Sequence, residues 1–373
     1  MDGGRLRVTA KALPAHNRRH NRSLLLQTLF HEGAMSRAEL ARRSGLTRVT
    51  VSDFVNDFSA EGLITELGQR AGVRVGKPAQ LIGFDTNAYH VLTLDLSETE
   101  RFNGAIMSLG GEFIYRARVP LHGATGPAAV QQAVQLVRHL SEQATVRLLG
   151  VGVGTPGVVV PDGVVRTAPN LGWSDLALAD IIRDEVGLPV YVANDANTAV
   201  LAVHTLGERR GRDLMLVTIG RGVGVGLIVG GVLVEGAQMT AGEIGHVVVD
   251  ERGELCSCGR VGCLELKVSV PQIKRRLRAV EGEHADAVLA EAGIALGIAL
   301  APVVATLGLQ EVVLAGPDYL IGGAFIEKVR RTIEQRTLAA FNTGLNLNLV
   351  PNSEDLVLRG ATALVLAREL WVS

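Results

Sequence analysis

The chain has 373 residues, of which 47% are hydrophobic and 20% are charged, a composition that excludes a disordered protein and predicts two or three globular domains. Its net charge of −1 hides an uneven distribution, because residues 1–82 contain 13 basic and 7 acidic side chains, whereas the rest contains 24 basic and 31 acidic side chains. A basic end on an acidic body indicates a nucleic-acid partner for that end alone.

The first predicted elements are three helices separated by glycines. The apolar face of the first helix runs through residues 24–30 and stops at Gly33. Ser36 is expected to cap a second helix that Gly45 ends, and Thr47 to cap a third. The apolar positions at helical spacing in the third helix are Val51, Phe54, Val55 and Phe58. Two short helices around a tight turn predict a helix-turn-helix, with a hairpin over residues 63–84 as its wing.

Candidate DNA contacts lie on this third helix and on the tip of the wing. The candidates on the helix are Thr47, Arg48, Thr50, Ser52 and Asn56, which are suited to base edges in a major groove. The candidates on the wing are Arg70, Arg74 and Lys77, which are suited to phosphates or a minor groove. The alternative is a three-helix interaction module that does not touch DNA.

From Tyr89 onward the pattern changes to strands alternating with helices, which predicts an α/β fold. A strand ending at Asp95 has its candidate partner in residues 112–121. The other segments predicted to contain strands are residues 146–160, 188–200, 213–236 and 310–325. Two glycine-turn units separated by the acidic end of a strand suggest two related lobes around a cleft.

One uncharged run, Ala292–Leu309, is long enough to span a membrane. It is rich in Ala and Gly and contains Pro302, so we interpret it as a buried helix rather than a membrane span. The first 22 residues contain many Arg and His and no apolar core, so we expect no secretory signal and a cytoplasmic protein. Disulfides are not expected in that compartment.

Residues 243–265 resemble the signature of the ROK family, which groups bacterial sugar kinases with sugar-responsive repressors. The matching residues are Glu243, Gly245, His246, Cys256, Cys258, Gly259, Gly262, Cys263 and Glu265. The resemblance implies an actin-like (ribonuclease H-like), two-lobed sugar-kinase-type domain behind the winged helix-turn-helix, and a homodimer or homotetramer. The expected organisation is a flexible tail over residues 1–20, a DNA-binding domain over 21–83, and a sugar-binding domain over 84–373 with a zinc loop at 246–263.

The only three cysteines of the chain, Cys256, Cys258 and Cys263, lie in this signature. His246 supplies a fourth ligand, and a Cys₃His set closes a tetrahedral zinc site with no open position, as in structural sites. The alternatives are redox thiols or coincidence. A redox pair needs two sulfurs only, and the nearby glycines suit a loop that wraps around a metal, so Zn²⁺ is the expected cofactor.

By the same resemblance, six residues are expected to bind the sugar: Asn170, Asn194, Asp195, Glu243, His246 and Glu265. Carboxylates and amides suit sugar hydroxyls, which donate and accept hydrogen bonds at once. The second ring nitrogen of His246 would face the sugar while the first holds zinc. For Asn194 and Asp195 the alternative is a helix cap, and for Trp173 the choice lies between an apolar wall and the core.

In the kinases of the family, the residue matching Asp195 is the catalytic base, and an Asp-x-Gly-Gly-Thr loop holds ATP. Here that loop reads Asp95-Leu-Ser-Glu-Thr99, which brings the carboxylate of Glu98 towards the phosphates. The second loop, residues 220–224, keeps its glycines. We therefore expect a degenerate nucleotide site, no enzyme activity, and a repressor that binds pseudo-palindromic operator DNA and responds to a monosaccharide or sugar phosphate. An active kinase carrying a DNA-binding domain and a sugar-binding scaffold without DNA are the alternatives.

Overall fold

The structure, a computed structural model, describes residues 14–69, 80–207, 211–280, 284–338, 344–350 and 353–373. Its N-terminal elements are α1 (Pro14–Glu32), β1 (Met35–Ser36), α2 (Arg37–Ser44), α3 (Arg48–Ala60), β2 (Ile64–Gln69) and β3 (Gln80–Phe84). Strand β3 pairs antiparallel with both β1 and β2, which confirms the predicted winged helix-turn-helix. The wing residues Arg70, Arg74 and Lys77 lie outside the described residues.

The predicted helix caps are present. The Oγ of Ser36 accepts a hydrogen bond from the backbone N–H of Glu39 at 3.2 Å, and the Oγ1 of Thr47 accepts one from Thr50 at 3.2 Å. Gly45 ends α2 with φ 71°, a left-handed conformation that glycine adopts without strain. These local signals set the angle between α2 and α3 and leave one face of α3 in solvent.

The expected flexible tail over residues 1–20 is wrong for residues 14–20, which belong to helix α1, whereas residues 1–13 lie outside the described residues. Arg18 of this early part of the helix forms an ion pair with Asp57 on α3 at 2.7 Å. Arg22, one turn further on, forms a bidentate pair with Glu61 at 2.9 and 2.6 Å. These two ion pairs join the second and third turns of α1 to the C-terminal end of α3.

Two five-stranded sheets form the body, as the prediction of two lobes requires. The strands of the first sheet are β4 (His90–Asp95), β5 (Arg101–Ser108), β6 (Phe113–Pro120), β7 (Leu148–Thr155) and β11 (Val190–Asn194), in the order β11-β7-β4-β5-β6. A small sheet beside it contains β8 (Val158–Val159), β9 (Val165–Ala168) and β10 (Trp173–Leu176). Helices α4 (Gly126–Gln143) and α5 (Leu178–Val186) complete this lobe.

The second sheet runs in the order β14-β13-β12-β15-β16. Its strands are β12 (Leu214–Ile219), β13 (Val223–Val229), β14 (Val232–Leu233), β15 (Glu311–Ala315) and β16 (Asn346–Leu349). Helices α7 (Glu265–Val268), α8 (Val270–Arg278), α9 (Ala285–Leu307), α10 (Asp318–Ile321) and α11 (Gly323–Arg336) belong to this lobe. The order of elements along the chain places the sugar-site candidates at strand ends and in the loops between them.

One strand pairing was predicted wrongly. The expected partner of β4 was residues 112–121, but β5 lies between them and pairs with both β4 and β6. Strand β5 escaped detection because it is buried in the middle of the sheet and shows no alternation of apolar and polar residues. Gly104 in this strand admits the side chains of Leu136 and Leu140 from α4, which a Cβ would meet at 2.8 to 3.1 Å.

The uncharged run at Ala292–Leu309 lies in helix α9 up to Leu307, and Gly308 caps the end of that helix. Among the described residues, α9 alone is long and apolar enough to span a membrane, and 50% of its most apolar window is buried inside the protein. Leu296, Leu300 and Val304 lie in the core of the second lobe together with Val329 of α11. The expectation of a buried helix is therefore confirmed.

Helices α6 (Asp195–Leu201) and α12 (Leu356–Val365) pack against each other and against the two main sheets. Three contacts in this layer depend on glycine. A Cβ added at Gly152 of β7, at Gly360 of α12 or at Gly226 of β13 would lie 2.1, 1.7 and 2.4 Å, respectively, from a backbone carbonyl oxygen of the neighbouring helix. The layer that joins the lobes is thus packed backbone to backbone.

The same layer extends to the DNA-binding domain. Helix α6 continues as a π-helical segment, Ala202–Leu206, and α12 continues as Leu366–Leu370. Leu366, Leu370 and Val372 share one buried core with Leu25 and Leu29 of α1, and Leu206 packs against it. Polar contacts at the same interface run from Ser23 to the carbonyl of Trp371 at 2.9 Å and from Gln27 to the same carbonyl at 3.0 Å. The DNA-binding domain is therefore packed onto the C-terminal end of the body.

Candidate functional site

An open cavity of about 510 Å³ lies between the two lobes. One wall is the β8–β9 hairpin, represented by Val158, Val160 and Arg166, and the opposite wall is residues 237–240. Asn170 follows the first wall in the chain, and Glu243 follows the second. Two predicted sugar ligands therefore lie within four residues, along the chain, of the two walls of this cavity.

Asn194 and Asp195 form the start of α6, at the carboxyl end of β11. The side-chain oxygen of Asn194 accepts hydrogen bonds from the N–H groups of Ala196 and Asn197, and its amide donates to the carbonyl of Gly157 at 3.0 Å. Asn194 is thus the helix cap that the alternative interpretation proposed, and one amide N–H remains for a ligand. Asp195 accepts one hydrogen bond from Ala196 at 2.8 Å.

Three carboxyl groups influence one another at this point. Burial, together with the charges of Asp95 and Glu243, raises the pKa of Asp195 to about 7. Burial also raises the pKa of Asp95 to about 6, although hydrogen bonds from Ser97 oppose the shift. Perturbed carboxyl groups of this kind in a cleft mark a binding or catalytic site.

Side chains of the first phosphate loop, residues 95–99, bond to groups within the loop and next to it. The hydroxyl of Ser97 donates to the Asp95 carboxylate at 2.6 Å, and the backbone N–H of Ser97 donates to the same oxygen at 3.0 Å. Glu98 pairs with Arg101 at 3.2 Å, with both side chains partly exposed. The loop therefore turns one backbone N–H inward to Asp95 and carries an additional carboxylate where the kinase pattern has glycine.

Glu265 lies against the second phosphate loop. It is the first residue of α7, and its carboxylate oxygen is 2.7 Å from the position that a Cβ of Gly222 would occupy. The backbone of Gly220 in the same loop accepts a hydrogen bond from Val270 at 2.8 Å. A carboxylate thus faces each of the two loops that would have to hold phosphates.

Asn170 and Trp173, which the sequence also suggested for the sugar site, differ in their exposure to solvent. Asn170 is exposed on the short 3₁₀ helix Pro169–Leu171. Trp173 is buried in the first lobe, where its indole N–H donates to the carbonyl of Gly126 at 3.0 Å and its ring lies 6.3 Å from that of Phe102. Trp173 is therefore a core residue and not an apolar wall of the sugar site.

The four expected metal ligands converge. The ligand atoms of His246, Cys256, Cys258 and Cys263 all lie within 4.8 Å of one another. The Sγ atoms of Cys258 and Cys263 are 3.6 Å apart, and the Sγ of Cys256 is 3.7 Å from the Nδ1 of His246. A tetrahedral zinc with bonds of about 2.3 Å requires ligand separations of about 3.8 Å, so the arrangement fits a metal ion of that size.

The surroundings of the thiols also suit a cation. A hydrogen bond from the backbone N–H of Arg260 lowers the pKa of the Cys258 thiol to about 6. Burial raises the pKa of Cys263 to about 12, and a coordinated cation would ionise this thiol. Because Nδ1 of His246 points to the sulfurs, its Nε2 is left to face outward.

The exposed face of α3 carries the predicted DNA contacts. Arg48 and Asn56 are exposed, and Ser52 is partly exposed. The hydroxyls of Thr47 and Thr50 lie 2.9 Å apart and bond to each other, so both contribute to the cap. Between them stands Val49, with 73% of its surface exposed, which the sequence analysis passed over because it considered polar residues only.

Some of the positive charge at the N-terminus is neutralised internally, since Arg18 and Arg22 pair with acidic groups of the adjacent helix segment. The exposed arginines of α2 and α3 that form no ion pair with another described residue are Arg37, Arg42 and Arg48. These three arginines are available to phosphates.

Comparisons with known proteins agree with both parts of this geometry. A family model described as "ROK family" matches residues 92–368, and a "Crp-like helix-turn-helix domain" matches residues 18–84. The xylose repressor of Caldicellulosiruptor bescii is 26% identical over 93% of this chain and 95% of its own length. A glucokinase of Halalkalibacterium halodurans is 36% identical over 50% of this chain and 58% of its own length.

Among solved structures, a ROK family transcriptional regulator described as a homologue of the Escherichia coli Mlc protein superimposes with a TM-score of 0.83. It covers 96% of this chain and 98% of its own chain at 22% identity, so it supports the fold. Together with the family model, which covers well over half of the residues, these findings show that the chain belongs to the ROK family.

Proposed function

We propose that the protein is a DNA-binding transcriptional repressor whose operator affinity is controlled by a monosaccharide or sugar phosphate. The observation that carries the proposal is the path of α6, which begins at Asp195 in the cleft and continues as a segment whose Leu206 packs against the core of the DNA-binding domain. The resemblance along nearly the full length of a xylose repressor supports the same function.

The proposed effector site is the cleft between the lobes. Asn194 and Asp195 would hold hydroxyls from one segment, and Glu243 and Glu265 would hold them from the other, with Asn170 as a further ligand. The outward Nε2 of His246 would donate to a hydroxyl while Nδ1 binds the metal, so the metal would fix the orientation of the ring. Zinc is the metal that we propose, in a structural role, because the Cys₃His set leaves no open coordination position.

A sugar kinase is the second candidate, and it is supported by the similarity of this chain to a glucokinase. We assign the nucleotide site as degenerate because Ser97 and Glu98 replace both glycines of the first phosphate loop, where the Glu98 carboxylate would repel a triphosphate. Asp195 would then keep the position of a catalytic base while serving as a ligand for sugar hydroxyls.

Control of DNA binding would pass through the layer formed by α6 and α12. Sugar contacts from both lobes favour a closed cleft, and closure moves one lobe relative to the other about that layer. Since Leu206 and the C-terminal residues Leu366, Leu370 and Val372 pack against α1, the DNA-binding domain would move with them. In a homodimer or homotetramer, this movement would change the spacing of two DNA-binding domains on a pseudo-palindromic operator. We therefore expect sugar to release the protein from DNA, in the cytoplasm.

The experiment for DNA binding uses the full chain and duplexes selected from a random library, with affinity measured by fluorescence anisotropy. Arg48→Ala should weaken binding to the selected duplex by roughly 1 to 3 kcal/mol if it contacts a base. Arg212→Ala, an exposed arginine of the second lobe, serves as the matched control. Selection of no duplex, or equal affinity of both variants and the unaltered protein, would count against the proposed interface.

A further inference from the structure

The exposed face of α3 has an apolar side chain at its centre. The buried residues of the helix are Val51, Phe54, Val55 and Phe58. At about 100° per residue, the middle of that buried stripe lies about 170° from Val49. Val49 thus points directly away from the core, and Ser52, Asp53 and Asn56 surround it on the same face.

The two threonines of the first turn of α3 use their hydroxyls within the helix. The hydroxyls of Thr47 and Thr50 are engaged with each other, and Thr47 also caps the helix. Arg48 lies at the flank of the face, next to the side of the helix that carries Val55. The first turn of α3 therefore offers an apolar contact at its centre, with a cation beside it.

The charges around Val49 favour a nucleic acid over an apolar protein partner. The exposed arginines Arg37, Arg42 and Arg48 stand on the same pair of helices and form no ion pair with another described residue. Even with the acidic Asp53 beside Val49, an apolar group on a pair of helices that exposes three arginines matches a major groove, whose walls are phosphates and whose floor offers one apolar group, the thymine 5-methyl.

We propose that Val49 packs on the 5-methyl group of a thymine in each half-site of the operator and so selects thymine at that position. This inference rests on the proposed DNA-binding function and adds the base that the first turn of α3 reads. Arg48 would supply a neighbouring polar or phosphate contact.

The test compares thymine with deoxyuridine, which lacks only the methyl group. The full chain first selects duplexes from a random library, and each thymine of a half-site is then replaced by deoxyuridine in both half-sites. At one of the tested positions, the replacement should weaken binding by about 3- to 10-fold per half-site, because it removes one buried methyl contact. Val49→Ala should bind the thymine duplex that much more weakly and should no longer distinguish the two bases.

Val49→Thr, which keeps a methyl group at the same place, should retain the preference for thymine. Val232→Ala, an exposed valine of the second lobe, is the matched control and should behave as the unaltered protein. Equal affinity for thymine and deoxyuridine at every position, or full discrimination by Val49→Ala, would overturn the inference while leaving DNA binding intact. Failure to select any duplex would instead overturn the DNA-binding function, and this inference with it.

Discussion

Gly360 of α12 faces Thr198 of α6 so closely that a Cβ on Gly360 would lie 1.7 Å from the Thr198 carbonyl oxygen. Thr198 lies one turn beyond Asp195, and its hydroxyl donates to the carbonyl of Asn194 at 2.8 Å. The closest helix contact in the layer between the lobes is therefore made beside the candidate sugar site. A side chain at Gly360 would have to separate the two helices that join this site to the DNA-binding domain.

Gly360→Ala should lower the free energy of unfolding by about 1 to 3 kcal/mol, because overpacking forces backbone shifts. Thermal unfolding of the full chain measures this effect. Gly211→Ala is the matched control, since its Cβ would meet the end of the Glu311 side chain at 3.2 Å and the Asp213 carbonyl oxygen at an ordinary contact distance of 3.5 Å. Equal unfolding temperatures for the two variants would show that α6 and α12 can move apart without loss of stability.

Metal analysis of protein purified without chelators should find one zinc per chain. Cys258→Ser should lose most of that zinc and should unfold at a lower temperature, because metal binding is coupled to the folding of its loop. Cys258 is exposed, so its replacement disturbs little packing. The adjacent Ser257→Ala should retain the metal. The site would be disproved by metal-free wild-type protein of full stability.

Asp195 should make stability depend on pH. Its pKa is about 7 in the folded protein against an ordinary value of 3.8, so the folded state holds this proton more tightly than the unfolded chain. The resulting destabilisation is complete at alkaline pH and falls as pH decreases below about 7. Asp195→Asn should therefore raise the unfolding temperature more at about pH 8 than at about pH 5.5. The exposed Asp184→Asn should show no such difference, and an equal gain at both pH values would contradict the assignment.

The protein should show no useful sugar kinase activity. A coupled assay of ATP consumption with D-glucose, D-xylose and N-acetyl-D-glucosamine should give rates far below the roughly 1 to 100 per second of ordinary kinases. Mg·ATP should also fail to raise the unfolding temperature, because Ser97 and Glu98 replace the glycines of the first phosphate loop. Turnover in the ordinary range with any of these sugars would establish an enzyme.

The features that could be predicted from the sequence are those set by local chemistry. The caps at Ser36 and Thr47 follow from side chains that bond to N–H groups three residues away. The metal cluster follows from spacing within one loop together with the family pattern. Asn194 shows the limit of such a prediction, because the same residue suits a cap and a ligand, and the cap alone can be seen from its hydrogen bonds.

The features that could not be predicted depend on contacts between distant segments. Strand β5 is covered on both faces, so burial removes the alternation by which a strand is recognised. The packing of Val372 against the core of the DNA-binding domain joins residues from opposite ends of the chain. The exposure of Val49 could have been predicted, because a count of helical positions places this residue opposite the apolar stripe. A search confined to polar residues does not find it.

The central claim is that the cleft at Asp195 senses sugar and controls DNA binding. The most direct measurement is the affinity of the full chain for its selected duplex during titration with D-xylose, D-glucose or N-acetyl-D-glucosamine. For the sugar that acts, affinity should fall about 5- to 150-fold, a coupling of roughly 1 to 3 kcal/mol. Asp195→Ala should bind the duplex normally and lose this response, whereas the exposed Asp184→Ala should keep it. An Asp195→Ala variant that responds at the same sugar concentrations as the unaltered protein would contradict the account.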